Sequence, residues 1–273
     1  MKRRILSGVI FLIVLILIGL FDSPLVDTCV ITALSILGIY EYNKAFKNAN
    51  YKPISWVGYL GCITMFLMGG IIPDQDKMLI TKIALPALII VVFMYIILTN
   101  LKRTIVDVAI TVFSLVYIPF MFSFLKSILM MPNGRFLILY VFTAAFASDT
   151  FAYFIGTKFG KNKLCVEISP KKTIEGSIGG ILGVILCFTI LTYIGNAYFS
   201  MNMNIIYMLV AGVIAGIAGQ FGDLSASAIK RYCKVKDFGN IIPGHGGILD
   251  RFDSMLFVAP VMYMFLKLYM FNW

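Results

Sequence analysis

The segment SIGGILGVILCFTILTYIGNAY, residues 177–198, decides the fold class of this chain. It has no charged side chain, and as an α-helix rising about 1.5 Å per residue it is long enough to cross a bilayer. No alternating polar and apolar pattern suggests a β-barrel. Comparable apolar segments are 5–21, 25–40, 55–72, 83–99, 106–125, 136–156, 205–222 and 255–271. The sequence therefore predicts an all-α, polytopic integral membrane protein with about nine transmembrane helices.

The composition excludes the other main classes. Of the 273 residues, 60% are apolar and only 13% are charged, whereas soluble domains are about 25% charged. The chain is therefore too apolar to be a water-soluble domain. Disorder is excluded as well, because disordered chains have low hydrophobicity. We expect the lipid bilayer as a partner, and no nucleic acid.

The distribution of basic residues predicts the orientation. When the loops between the nine segments are placed on alternate sides, 18 of the 23 Lys and Arg residues fall on the side of the N-terminus. Basic residues accumulate on the cytoplasmic side, so we expect a multi-pass protein of the cell membrane with a cytoplasmic N-terminus. The first segment, in Met1 to Phe21, is not followed by a small-x-small cleavage site and is interpreted as a retained span. The spacing of the five cysteines indicates neither a disulfide framework nor a zinc site.

The glycine content divides the chain into two regions. Residues 149–253 contain 15 of the 23 glycines, several at helical spacing, which is typical of closely packed membrane helices. These glycines are Gly176, Gly179, Gly180 and Gly183, and then Gly212, Gly216 and Gly219. We predict N-terminal transmembrane helices over 1–135 and a catalytic transmembrane region over 136–273, with cytoplasmic loops at 157–176 and 223–254.

The first loop and the apolar segment before it each carry a chemical signal. Asp149 lies in an apolar segment, where an ionisable group is costly and indicates function, although a structural ion pair with a nearby lysine is the alternative. The segment SPKKT, residues 169–173, precedes a glycine-rich helix start. Ammonium groups, hydroxyls and free backbone N–H groups suit a phosphate. Taken alone, a pair such as Lys171 and Lys172 more often serves only to orient the chain.

The second loop is the densest polar stretch in the chain. Asp250 and Asp253 are three residues apart and share a face of a predicted helix, and Asp223 ends the preceding apolar segment. Three carboxylates beside Lys and Arg suit Mg²⁺ and a polyphosphate; mutual Asp–Arg pairing in a helix cap is the alternative. His245, the only histidine, is flanked by glycines that allow close approach of a ligand, which favours a phosphate or substrate contact over a simple turn.

These segments resemble a known family. Residues 227–231, 236–237 and 243–253, together with 169–176 and 219–224, are similar to the signature of the bacterial phosphatidate cytidylyltransferases, or CDP-diacylglycerol synthases. The resemblance is close over the C-terminal half, and the first spans are similar only in kind. It implies the reaction of CTP with phosphatidate to give CDP-diacylglycerol and pyrophosphate. It also implies Mg²⁺ as cofactor, with one or two cations, and suggests a homodimer.

The resemblance also implies roles for particular residues. Asp223, Asp250 and Asp253 are expected to bind the metal, with Asp149 near or behind them. The expected catalytic residues are Asp223, Asp250, Lys171, Asp253 and His245. The expected substrate-binding residues are Ser169, Lys171, Lys172, Thr173, Glu175, Lys230, Arg231, Lys236, Gly246, Gly247 and Arg251.

Two other functions stay open at the level of sequence. A related membrane CTP-dependent transferase could act on a different lipid phosphate, because the lipid-facing residues carry no readable specificity. A transporter would also place carboxylates and glycine-packed helices in the membrane, but it should show charges deep in several spans or inverted halves. Here the charges concentrate in two loops, which favours the enzyme.

Overall fold

The computed structural model describes residues 23–70, 74–100, 102–241 and 246–271, with the side chains of 65–70, 74–85 and 271 left aside. The predicted first span, 5–21, and the interpretation of Met1 to Phe21 as retained lie outside these residues, as does His245. Nearly all of what is described is helical, which confirms the all-α class.

The chain forms nine helices and one hairpin over the residues that the structure describes. The helices are α1 (Pro24–Asn48), α2 (Ser55–Gly70), α3 (Asp74–Leu98), α4 (Ile105–Leu115), α5 (Met121–Leu129), α6 (Gly134–Phe159), α7 (Ile174–Phe199), α8 (Ile205–Tyr232) and α9 (Leu249–Phe271). A π-helical segment, Val116–Phe120, joins α4 to α5. The hairpin consists of β1 (Lys163–Cys165) and β2 (Ser169–Thr173), which pair antiparallel.

Six of these helical segments are long and apolar enough to span a membrane, counting the described residues alone. They are α1, the continuous stretch Ile105–Leu129, α6, α7, α8 and Leu249–Met270 of α9. Large apolar side chains lie on the outside, such as Leu182 and Tyr193 of α7, which are 57% and 75% exposed. Such a surface requires lipid, so the chain is a multi-pass membrane protein.

The second predicted loop is shorter than expected. Residues 223–232 continue α8, so the non-helical part of the predicted loop 223–254 is confined to 233–248. The run of apolar residues ends near Gly222, but the residues that follow, such as Ala226, Ala228 and Lys230, are compatible with a helix. Hydropathy therefore located the end of the apolar segment and not the end of the helix.

The described residues form two compact units. The first contains α1 to α4 and α5 as far as Lys126, together with 233–249; the second contains 127–232 and the chain from Asp250 onward. In the first unit, Ile54 and Val57 pack with Val92, Ile96 and Val108 in a buried cluster. Residues 233–249, which the sequence assigns to the catalytic region, belong to this first unit.

The glycines of α7 allow close packing in the second unit. A Cβ added to Gly180 would lie 2.8 Å from the Ser148 carbonyl oxygen, and one added to Gly176 would lie 2.8 Å from that of Ala152, both on α6. A Cβ on Gly222 of α8 would lie 2.6 Å from the carbonyl oxygen of Asp253 on α9. The predicted role of glycine in helix packing is confirmed, because these glycines allow α7 to lie close to α6, and α8 to lie close to α9.

Candidate active site

Three carboxylates from three helices of the second unit lie within electrostatic range of one another. Asp149 is on α6, Asp223 on α8 and Asp253 on α9, and the charge of Asp253 interacts with the other two. Helices α8 and α9 lie close together at Gly222, and this places Asp223 beside the first turns of α9. Asp253 is only 8% exposed, so the repulsion among the three charges is poorly screened. We call these residues the acidic cluster.

The hairpin delivers one lysine to the acidic cluster. Lys172 forms an ion pair with Asp223, and the two side chains are 26% and 23% exposed. Lys171, the preceding residue of β2, is exposed. The two adjacent lysines, for which the same substrate contacts are predicted, therefore lie in different environments.

A second ion pair joins the ends of α8 and α9. Lys230 Nζ donates to Asp250 Oδ1 at 2.7 Å, and the side chains are 12% and 3% exposed. Lys230 also lies within electrostatic range of Asp253, as expected if both aspartates share a helix face. Removing one partner of a buried pair costs about 3–5 kcal/mol because the other charge stays buried.

Further basic and hydroxyl groups surround these carboxylates. Arg251 is exposed and lies within electrostatic range of Asp149. The Nε of Arg231 donates to the Ile168 carbonyl oxygen at 3.2 Å, which ties the end of α8 to the turn of the hairpin. Ser169, at the start of β2, is half-buried.

Two predicted substrate contacts have structural partners in the hairpin region. The Thr173 hydroxyl caps α7 by accepting from the Gly176 N–H at 3.1 Å. The Glu175 carboxylate accepts from the backbone N–H groups of Lys161 and Asn162, each at 3.1 Å. Both residues therefore shape the hairpin that carries Lys172, and a contact with substrate stays a prediction.

The remaining predicted residues lie in the first unit or outside the described chain. Lys236 is exposed. Gly246 has a φ of 84°, in the region that favours glycine. A Cβ on Gly247 would collide with the carboxylate of Glu41, so this glycine serves packing. His245 is not described, and its role stays a prediction.

Glu41 was missed by the sequence reasoning. This glutamate of α1 has an exposed fraction of 0%, and its carboxylate accepts from the N–H groups of Ile248 and Leu249, each at 2.9 Å. Those N–H groups open α9, and a carboxylate there satisfies groups that have no partner within the helix. The available signal was an acid in an apolar helix, the same signal that selected Asp149.

A second missed contact links α7 to α8 near the acidic cluster. The Ser177 hydroxyl donates to Gln220 Oε1, and Gln220 Nε2 donates to the Ser177 carbonyl oxygen at 2.8 Å. Gln220 thereby uses its acceptor and one of its donors within the helix pair. In the sequence, the signal that could have identified this contact is a polar amide side chain three residues before Asp223.

The donor chemistry of the acidic cluster suits a hard divalent cation. Carboxylate oxygens are preferred ligands of Mg²⁺, and the repulsion among Asp149, Asp223 and Asp253 favours an additional positive charge. Within the described residues, however, no three His, Cys, Asp or Glu side chains converge on one point. The carboxylates fit a cation by charge and chemistry, and their arrangement does not fix its position.

The chain belongs to the cytidylyltransferase family, whose model matches residues 2–269. It is similar to the phosphatidate cytidylyltransferase of Bacillus subtilis (strain 168), with 35% identity over 276 residues, 98% of each chain. It is 33% identical to the enzyme of the same name from Staphylococcus haemolyticus (strain JCSC1435) over 96% of this chain and 97% of the relative. It is 35% identical to the phosphatidate cytidylyltransferase of Staphylococcus aureus (strain COL), again over 96% of this chain and 97% of the relative.

Proposed function

We propose that the acidic cluster, with Lys172, Lys230 and Arg251, holds CTP and phosphatidate for cytidylyl transfer. The chain is a nucleotidyltransferase that converts CTP and phosphatidate into CDP-diacylglycerol and pyrophosphate. The observation that carries the assignment to this site is that Asp149, Asp223 and Asp253 lie within electrostatic range of one another in one unit, with Lys172 paired to Asp223. The transporter alternative has no comparable support.

The reaction depends on the positioning of the substrates and the neutralisation of their charge more than on a general base. An oxygen of the lipid phosphate attacks the α-phosphorus of CTP, and the bond to the bridging oxygen of the β-phosphate breaks, so pyrophosphate leaves with that electron pair. The attacking phosphate is already ionised at neutral pH, so no side chain needs to remove a proton. Catalysis then depends on aligning two polyanions and stabilising the charge that develops between them.

The two ion pairs suggest how this chain handles that charge. Lys172 and Lys230 form ion pairs with Asp223 and Asp250. An arriving phosphate competes for the ammonium groups, and Arg251 adds an exposed positive charge near Asp149. Exchange of carboxylate for phosphate at the two lysines is therefore the step that these residues perform.

The metal remains part of the proposal. Asp223, Asp250 and Asp253 are the residues that would hold Mg²⁺, with a second cation as an option. When bound, Mg²⁺ supplies positive charge to the phosphates and shields the carboxylates from them. Loss of turnover on chelation, restored by Mg²⁺ and not by Na⁺, is the expected result.

The orientation is proposed from charge distribution. Nine spans with a cytoplasmic N-terminus place 18 of 23 basic residues, and both motif segments, on the cytoplasmic side of the cell membrane. CTP is available on that side.

The homodimer is proposed from the family resemblance alone, and cross-linking in the membrane would test it.

One assay tests the function. The purified full chain is given CTP, Mg²⁺ and a panel of lipid phosphates, and pyrophosphate release is followed. Phosphatidate should be the preferred acceptor, and product with another lipid phosphate but none with phosphatidate would contradict the proposal.

A pair of matched variants tests the site. Asp223→Asn should reduce turnover by at least about 100-fold, as expected for loss of a group that organises the transition state. Glu167→Gln removes an exposed carboxylate from the turn of the hairpin and should leave turnover near that of the unsubstituted chain. Equal turnover in both variants would refute the assignment of the acidic cluster.

A further inference from the structure

A cavity of about 620 Å³ lies in the first unit, and none of the residues that line it is assigned to catalysis. It is lined by Lys52, Tyr95, Thr99, Lys102 and Arg103. These residues come from the loop after α1, the end of α3 and the loop before α4. Three of the five lining residues carry positive charge and none is acidic, so the cavity suits an anion.

The walls of this cavity are held together by one buried carboxylate. Asp107, which is 4% exposed, accepts from the Lys52 N–H at 2.6 Å and from the Thr104 N–H at 2.8 Å. Thr104 and Asp107 also form a reciprocal capping box at the start of α4. Asp107 thus joins the loop of Lys52 to the loop of Lys102 and Arg103, and the cations are positioned by a fixed backbone.

These contacts largely satisfy the hydrogen-bonding capacity of the Asp107 carboxylate. Its two oxygens accept from backbone N–H groups, and Arg103 lies within electrostatic range. Among the described residues, no carboxylate forms an ion pair with Lys52 or Lys102. The cavity therefore has an excess of positive charge.

The chain segments that line the cavity also expose apolar side chains. Ile97 and Leu98, at the end of α3, are 68% and 76% exposed, and Ile105, at the start of α4, is 63% exposed. Trp56 packs edge-on against Tyr95, with ring centroids 5.6 Å apart. Aromatic residues of this kind collect at the level of the lipid headgroups. The segments that line the cationic cavity therefore also expose the apolar side chains of Ile97, Leu98 and Ile105, which we call the apolar rim.

We propose that this cavity binds the phosphate of an anionic membrane phospholipid, whose acyl chains lie along Ile97, Leu98 and Ile105. Basic pockets at helix ends on one side of a membrane recognise such headgroups. A soluble phosphate would use the same cations but would gain nothing from the apolar rim. The site goes beyond the proposed function, because none of its residues belongs to the second unit.

The test compares two double variants of the full chain, each of which removes two positive charges. Lys52→Gln/Lys102→Gln removes cations that line the cavity, whereas Lys44→Gln/Lys47→Gln removes exposed cations of α1 that do not. Binding of phosphatidylglycerol and of phosphatidylcholine to the purified protein is measured by native mass spectrometry. Each cation near a headgroup contributes about fivefold, so the cavity variant should bind phosphatidylglycerol about 25-fold more weakly.

Three results would overturn the proposal. The first is equal binding of phosphatidylglycerol and phosphatidylcholine by the unsubstituted chain. The second is an equal loss in the cavity variant and the control variant. The third is displacement of phosphatidylglycerol by inorganic phosphate at an equal concentration, which would assign the cavity to a soluble anion.

A single substitution covers the case in which the double variant does not fold. Lys102 is exposed and lies in a loop, so Lys102→Gln should leave the fold intact and weaken phosphatidylglycerol binding about fivefold. A melting temperature equal to that of the unsubstituted chain in phosphatidylcholine verifies the fold. Unchanged phosphatidylglycerol binding in a folded Lys102→Gln variant would refute the site.

Discussion

Replacing Glu41 by glutamine should destabilise the first unit measurably. The Glu41 carboxylate is fully buried and accepts from two backbone N–H groups at 2.9 Å. A glutamine keeps the shape but offers one acceptor oxygen, so one of the two N–H groups faces an amide NH₂. A buried N–H left without an acceptor costs about 1–3 kcal/mol, and loss of the negative charge at a helix N-terminus adds about 0.3–1 kcal/mol.

Relief of the buried charge opposes this loss, because an amide is cheaper to desolvate than a carboxylate. The net expected decrease in the free energy of unfolding is therefore about 1–3 kcal/mol for Glu41→Gln. Glu41→Ala should cost more, since it removes both acceptors and leaves a cavity. The assay is unfolding of the purified protein in mixed micelles of increasing SDS content.

Glu175→Gln is the matched control for this prediction. Glu175 also accepts from two backbone N–H groups, those of Lys161 and Asn162, but water can replace its carboxylate there. Its replacement should leave the unfolding curve unchanged. If Glu41→Gln unfolds at the same SDS content as the unsubstituted chain, the reasoning on the buried cap is refuted.

Three further predictions concern the site and the packing. Lys172→Gln should reduce cytidylyl transfer about 100-fold, while Lys171→Gln, which removes an exposed charge, should have a much smaller effect; equal losses in a turnover assay would contradict the separation of the two lysines. Gly222→Ala should lower stability by about 1–3 kcal/mol, because the added Cβ meets a carbonyl oxygen on α9 at 2.6 Å, and an unchanged SDS unfolding curve would be the contrary result. Burial raises the pKa of the Cys233 thiol to about 11, so at pH 7.5 maleimide should label the more accessible Cys165 first, as mass spectrometry can show; faster labelling of Cys233 would oppose its burial.

The helical class and the packing glycines could be predicted because both depend on local patterns. Long apolar segments identify membrane helices, and Gly176 and Gly180 lie at a spacing that places them on one helix face. Asp149 was selected because it lies inside an apolar segment, Asp223 because it ends one, and Asp253 because it shares a helix face with Asp250. The structure places the three within electrostatic range of one another. Their roles toward metal and substrate stay predictions.

The remaining features depend on contacts that no local pattern encodes. Lys171 and Lys172 lie in a strand of five residues whose burial does not alternate, so no period-2 pattern in the sequence could separate them. The end of α8 at Tyr232 lies ten residues beyond the end of its apolar run, since polar residues continue a helix as readily as apolar ones. The partner of Glu41 lies more than 200 residues away in sequence.

That separation has a consequence for biosynthesis. Leu249 follows Glu41 by 208 residues, and at about 5–20 residues per second translation needs roughly 10–40 s to reach it. During this interval the two N–H groups that the carboxylate holds in the finished protein do not yet exist. A nascent chain that stops before residue 248 therefore has an incomplete first unit in which the Glu41 carboxylate lacks these two donors.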